Sequence, residues 1–226
     1  MRLNKYIATY SNLSRRKADA AIESGNVIVN RKNAHVGMNV SDEDAVIVYG
    51  SKILPIKRKA TTVILNKPEG YVCSKNGQGS PTVYDLLQPG MQDLNIAGRL
   101  DKDSSGLVVM TNDGQLLQEL SHPSYNKEKV YEVALNSKPS AHLLSEVRNT
   151  GVDIGDGRPS KMKIVPLKPK KFDRMSTSFT VTLTEGRNRQ IRRTFESLKF
   201  KVLKLHRIAL GPYELNDLKP EQFKEL

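Results

Sequence analysis

Apolar positions in the first fifty residues fall at helical spacing, then in short alternating runs. Leu3, Tyr6 and Ile7 share one face of a short helix, and Ala18, Ala21 and Ile22 share another behind Ser14, which suits the N-cap of a helix from Arg15 to Ser24. Gly25-Asn26 turns the chain into a strand at Val27-Ile28-Val29, Asn30-Arg31 turns it again, and Ala45-Val46-Ile47-Val48-Tyr49 closes a compact unit over 1–49. The basic, proline-broken stretch that follows reads as a linker over 50–60.

From Thr61 to the end, strand and helix patterns mix. Strands are predicted at Thr62–Leu65, at Leu107–Met110, at Val130–Val133, over the stretch in which Phe179, Val181 and Leu183 alternate with polar neighbours, and late at Val202–Leu205. Asn66 to Gly70 reads as a turn, with Tyr71-Val72-Cys73 continuing the first strand. Helical spacing appears briefly over Thr82–Leu87, over Gln115–Ser121 with Leu116, Leu117 and Leu120 inward, at Leu143, Leu144 and Val147, and from Asn188 with Ile191, Phe195 and Leu198 inward; the tail from Pro220 reads as a short helix. Strands in runs, with helices between some of them, indicate an α+β domain on a largely antiparallel sheet.

Charge narrows the picture. The 226 residues carry a formal charge of +12 and a pI near 9.7, which favours a polyanionic partner, nucleic acid ahead of membrane. No apolar run reaches the length of a membrane span, and the first residues lack the apolar core of a signal peptide. A single cysteine, Cys73, leaves no internal disulfide and suits a reducing cytoplasm. Four scattered histidines and no phosphate-binding glycine loop lead to the expectation of chemistry without a metal or organic cofactor.

Two stretches concentrate the remaining chemistry. Arg15, Arg16 and Lys17 open a helix, where cations oppose the helix dipole; the run is either a solvated basic face or a hold on phosphate. Between two apolar segments lies Ala97-Gly98-Arg99-Leu100-Asp101-Lys102-Asp103-Ser104-Ser105-Gly106-Leu107, which puts a carboxylate at the rim of a buried strand. Turn chemistry alone would make this a solvated loop. A calcium loop is excluded, because the twelfth position, where a bidentate Glu belongs, is Asn112. Asp101 and Asp103 as a glycosidase pair would share one face of an extended chain, but the aromatic sugar platforms are missing and the sequence has no tryptophan.

The third reading is a resemblance. Gly98-Arg99-Leu100-Asp101-Lys102-Asp103-Ser104-Ser105-Gly106-Leu107 resembles the signature Gly-Arg-Leu-Asp-x-x-(Ser/Thr)-x-Gly-Leu of the pseudouridine synthases. Asn66 to Cys73 is similar to that family's opening strand, Lys127-Glu128-Lys129-Val130-Tyr131 to its second motif, and Glu185-Gly186-Arg187-Asn188-Arg189-Gln190-Ile191-Arg192-Arg193 to its third. The first unit resembles an S4 RNA-binding domain through Arg2 to Ala8, Ser14 to Ala18 and Ile22 to Asn30. Together they resemble the RsuA/RluB/RluE/RluF branch, which acts on bacterial ribosomal RNA.

The resemblance implies an α+β protein: a small N-terminal S4-type domain at 1–49, a linker at 50–60, and a pseudouridine-synthase domain at 61–226 on a mostly antiparallel mixed sheet with flanking helices. It implies an isomerase that converts uridine to pseudouridine, with Asp101 catalytic, Arg99 at the substrate, Tyr131 stacking on the base, Ile191 packing near it, and Arg192 paired with Asp101. RNA contacts are expected from Arg2, Lys5, Arg15, Arg16, Lys17, Arg187 and Arg189; Lys102 and Asp103 are expected only to make loop contacts. The implied partner is ribosomal RNA, naked or in assembly intermediates, met by a cytoplasmic monomer. The rival reading is a non-catalytic S4-containing assembly protein. Gly70 to Ser74 leans towards the small-subunit type and Gly186 to Arg193 towards the large-subunit types.

Overall fold

The computed structural model describes residues 1–56, 59–167 and 177–226. They form two compact units, Met1–Ala60 and Thr61–Leu226.

In the first unit, Leu3, Tyr6 and Ile7 fall on the inner face of α1 (Leu3–Tyr10). The Ser14 hydroxyl accepts the Lys17 N–H at 3.3 Å and opens α2 (Arg15–Glu23). Gly25, at φ +72°, ends that helix: its N–H bonds the Ile22 carbonyl while the Asn26 N–H bonds that of Ala21, a Schellman closure. Strands β1 (Val27–Val29), β2 (Lys32–Asn33), β3 (Val46–Val48) and β4 (Ser51–Lys52) form an antiparallel sheet in the order β2-β1-β3-β4. Val27, Val29, Val46 and Val48 close the core over the two helices. The expected linker is therefore shorter than 50–60. Tyr49 and Gly50, both at positive φ, make a two-residue hairpin that returns Ser51 and Lys52 onto Val48 and Ile47. Two polar residues on an edge show no alternation, which hid this strand. Lys57 and Arg58 of that stretch lie outside the described residues.

The second unit contains β5 (Thr62–Lys67), β6 (Asn95–Ala97), β7 (Ser105–Thr111), β8 (Lys129–Leu135), β9 (Lys163–Pro166), β10 (Thr177–Leu183), β11 (Val202–Leu210), β12 (Tyr213–Glu214) and β13 (Phe223–Glu225), with α3 (Gly114–Ser121), α4 (Ala141–Asn149) and α5 (Gln190–Ser197). The sheet runs β13-β5-β7-β11-β8-β10-β9, with β6 beside β7 and β12 beside β11. Among the described residues, only neighbours β7 and β11 run parallel. The sheet is thus mixed and mostly antiparallel, as expected.

Strand β7 is apolar from Leu107 to Met110 because both of its faces are covered there. Leu107 and Val109 meet Ile64, Leu120 of α3 and Leu210, while Val108 and Met110 belong to the larger core with Ile191 and Phe195 of α5 and Leu144 and Val147 of α4. Gly106 is required where β7 meets β11. Its φ is +105°, and a Cβ there would stand 2.2 Å from the Arg207 carbonyl oxygen and 2.6 Å from its nitrogen.

Four further expectations are corrected. The tail is strand β13, not a helix: Phe223 to Glu225 pair with Leu65 to Val63 and cover the otherwise open edge of β5. Tyr71 to Cys73 does not extend β5; only Val72 bridges, to Thr82. The last helix begins at Gln190 rather than Asn188. The late strand continues from Leu205 to Leu210, past a register shift between Arg207 and Ala209 that breaks its alternation.

Candidate active site

The loop from Gly98 to Ser104 leaves β6 and enters β7, and it is tied down along its whole length. Arg207, from β11, is 1% exposed; its Nε donates to the Leu107 carbonyl at 2.8 Å and its Nη2 to the Gly98 carbonyl at 2.6 Å. Fully buried Lys67 donates through Nζ to the carbonyls of Ser104 at 2.5 Å, Pro68 at 2.9 Å and Lys102 at 3.5 Å. The Gly70 N–H bonds the Lys102 carbonyl at 2.8 Å, and the Leu100 N–H reaches the Cys73 sulfur at 3.3 Å. Burial pushes the Lys67 ammonium below the ordinary lysine range, against the pull of Cys73, Glu69, Asp103 and Asp101. Burial likewise raises the Cys73 thiol, which is the buried residue expected.

This loop forms one wall of a cleft of about 790 Å³, lined also by β8, β11 and the turn before α5. Asp101, Arg99, Tyr131, Ile191, Arg187 and Arg189 all reach it, so residues far apart in sequence converge there. The Asp101 side chain is 41% exposed and open to a reactant. Tyr131 is 8% exposed, and faces the cleft from the alternating strand β8.

The arginines sort differently from expectation. Arg189 sits at φ +46° just before α5, and its Nη1 stands 3.6 Å from Asp101 Oδ2. The same guanidinium clasps Asp103 with two bonds of 3.0 and 2.9 Å. Arg192, expected to pair with Asp101, instead donates to the Asp103 carbonyl at 2.5 Å, approaches the Asp103 carboxylate at 3.3 Å, and does not line the cleft. The cause is local: α5 starts at Gln190, so the left-handed Arg189 swings across the opening while Arg192 lies within the first turn against the loop. Hydrogen bonding from Arg189, supported by the charge of Arg192, holds the Asp103 carboxyl below the usual aspartate range against its burial.

Arg187 is also corrected as an RNA contact. Its side chain is 10% exposed, and its guanidinium bonds Asp156, Glu185 and the carbonyls of Arg158 and Pro159. With Arg193 on Asp156 and the Ile154 carbonyl, it fastens the loop before β9 to α5. In the first unit Lys5, Arg15, Arg16 and Lys17 are exposed, whereas Arg2 donates to the Gly37 carbonyl at 2.6 Å.

Among the lining residues to which the sequence reading gave no role are two cations, Lys129 and Arg207. Lys129 lies two positions before Tyr131 on an alternating strand, a signal that was available. Arg207 lay beyond the predicted end of its strand and gave none. Among the described residues no cluster of His, Cys, Asp or Glu is arranged for a metal ion, and no helix is long and apolar enough to cross a membrane.

One reachable aspartate, an aromatic face and several cations share this cleft, mounted where a mixed sheet brings parallel strands together. Residues 61–197 match the RNA pseudouridylate synthase family. Over its full length the chain is 34% identical to ribosomal large subunit pseudouridine synthase B of Bacillus subtilis, covering 91% of that protein. It is 34% identical, again over its full length, to the dual-specificity RNA pseudouridine synthase RluF of Escherichia coli, covering 75% of it. Over 96% of the chain it is 33% identical to ribosomal small subunit pseudouridine synthase A of Pasteurella multocida, covering 91% of that protein. A crystal structure of a pseudouridylate synthase superposes with a TM-score of 0.71 at 30% identity, spanning 100% of this chain and 96% of that one. The chain belongs to the RNA pseudouridylate synthase family.

Proposed function

We propose that this protein isomerises uridine to pseudouridine in ribosomal RNA, with Asp101 as the catalytic residue and the first unit serving as an S4-type RNA-binding module. The observation that carries the reading is the Asp101 carboxylate, open to the cleft, with a guanidinium 3.6 Å away and the Tyr131 face lining the same space.

The reaction breaks the N1–C1′ bond, turns the base, and rejoins it through C5. Charge separates on the way, negative on the base and positive on the sugar, so a carboxylate beside C1′ is the group the sugar needs, as nucleophile or as base. Arg189, 3.6 Å from the Asp101 carboxylate, orients it in place of Arg192. Stacking on an aromatic ring is worth about 1–3 kcal/mol per base, and the uridine must leave its helix or loop to reach Tyr131. Exposed Arg99, Lys102 and Arg189 at the opening suit the RNA backbone.

The relatives carry both large-subunit and small-subunit names, as the split motifs anticipate. Incubation with each ribosomal RNA, naked and in assembly intermediates, followed by nuclease digestion and nucleoside chromatography, tests the reading. Pseudouridine at a discrete position in one of them is expected. RNA binding with no new pseudouridine in any of them would favour the assembly-protein reading instead.

A further inference from the structure

The floor of the cleft holds more positive charge than the protein neutralises. Arg207 stands directly opposite Tyr131 in the β8–β11 ladder, and Lys129 lies two residues before Tyr131 on the same face of β8. Both line the cleft beside Asp101. Arg207 is buried, and its guanidinium donates to two neutral carbonyls, those of Leu107 and Gly98. Lys129 is half-buried, its Nζ donates to the Lys127 carbonyl at 3.3 Å, and its stem rests against Gly186. Among the described residues neither is ion-paired; Glu185, the acid nearest in influence to Lys129, is bound to Arg158 and Arg187. Two like charges in a low-dielectric floor repel each other and are costly without an anion. Burial and the Arg207 charge both lower the Lys129 ammonium, consistent with a site that awaits one.

We propose that Lys129 and Arg207 form an anion subsite for the departing uracil. This inference rests on the synthase reading above. Heterolysis of N1–C1′ leaves the electron pair on N1, and conjugation spreads it to the carbonyl oxygens at C2 and C4. That charge arises on the base, next to the ring that stacks on Tyr131, and is absent before the bond breaks. The pair returns when C5 bonds C1′; the C5 proton leaves and N1 takes one up, so no oxidant or reductant enters. Phosphates, charged throughout, fit the exposed Arg99, Lys102 and Arg189 rather than cations sunk beside the base. Groups fixed to meet charge that appears only in the transition state raise the rate rather than ground-state binding.

The test compares wild type, Lys129→Met and Lys129→Arg on the ribosomal RNA that wild type converts. Single-turnover rates at saturating protein, RNA dissociation constants and melting temperatures are measured together. Lys129→Met should lose about 100-fold or more in rate with an unchanged dissociation constant, and Lys129→Arg should recover most of it. An unimpaired methionine variant, or one weakened in RNA affinity alone, would overturn the subsite, the latter in favour of a phosphate contact. An arginine variant as slow as the methionine one, with both melting low, would overturn it in favour of a structural role. No conversion by the wild type would remove the synthase reading and this one with it.

Discussion

At the scale of single residues, the site turns on how Arg189 divides between Asp101 and Asp103. Asp103 takes both hydrogen bonds from Arg189 and leaves Asp101 with a longer electrostatic contact, so the Asp101 carboxylate is oriented without being sealed. The sign of the resulting pH dependence follows. The folded Asp103 carboxyl titrates below its ordinary value of 3.8, so its pairing contributes fully above that value and is lost as pH falls through the lower folded one. A carbon-detected NMR titration should place Asp103 below the ordinary range and move it back up in Arg189→Gln; no movement would contradict the assignment of Arg189 as its main partner. The place of Asp101 at the rim of a buried strand was legible because four charged positions interrupt two apolar runs; the role proposed for it came from the motif resemblance. Its arginine was not legible, because the choice between residues 189 and 192 depends on a helix start displaced by two residues and on one positive φ.

Elements carry the precision that residues need. The loop bearing Asp101 is held between a lysine and an arginine that bond its carbonyls, and removing either donor leaves buried acceptors unpaired. Lys67→Met should cost about 3 kcal/mol, at about 1–3 kcal/mol per buried group left unsatisfied, measured by urea denaturation; a loss under about 0.5 kcal/mol would show that the amine does not hold the loop. Gly106→Ala forces a Cβ into the β11 backbone at a φ that L-residues rarely adopt, and should destabilise by about 3 kcal/mol or more. A melting temperature equal to wild type would contradict the close parallel approach of β7 and β11. Alternation exposed β8 and β10 in the sequence, and an unbroken apolar run exposed the two-sided β7. Alternation missed β4 and β13, which are short, polar and defined by the edge they cover, and the far half of β11, where an inward arginine and a register shift interrupt the pattern.

Across the whole molecule, charge and division into two units agree with a polyanion as partner. Met1–Ala60 and Thr61–Leu226 each have a core of their own, and the first carries exposed Lys5, Arg15, Arg16 and Lys17. If α2 presents its N-terminal triplet to phosphate, replacing Arg15, Arg16 and Lys17 with glutamine should weaken ribosomal RNA binding and flatten the dependence of log Kd on log salt by about 2, at about 0.7 per phosphate on single strands. An unchanged slope would show that the triplet is only solvated. The compositional excess of cations and the domain break near residue 60 were readable from sequence; the extent of the first unit was not, since it depends on the hairpin at Tyr49-Gly50.

The central claim concerns Asp101, and tritium release from ribosomal RNA labelled at uracil C5 tests it most directly. Rejoining through C5 must expel that hydrogen, whereas binding or simple hydrolysis of the glycosidic bond leaves it on the base. Wild type should release tritium from one ribosomal RNA and Asp101→Ala should release none while binding it as tightly. Release by both would contradict Asp101 as the catalytic group; release by neither, on naked RNA and on assembly intermediates alike, would contradict the enzyme.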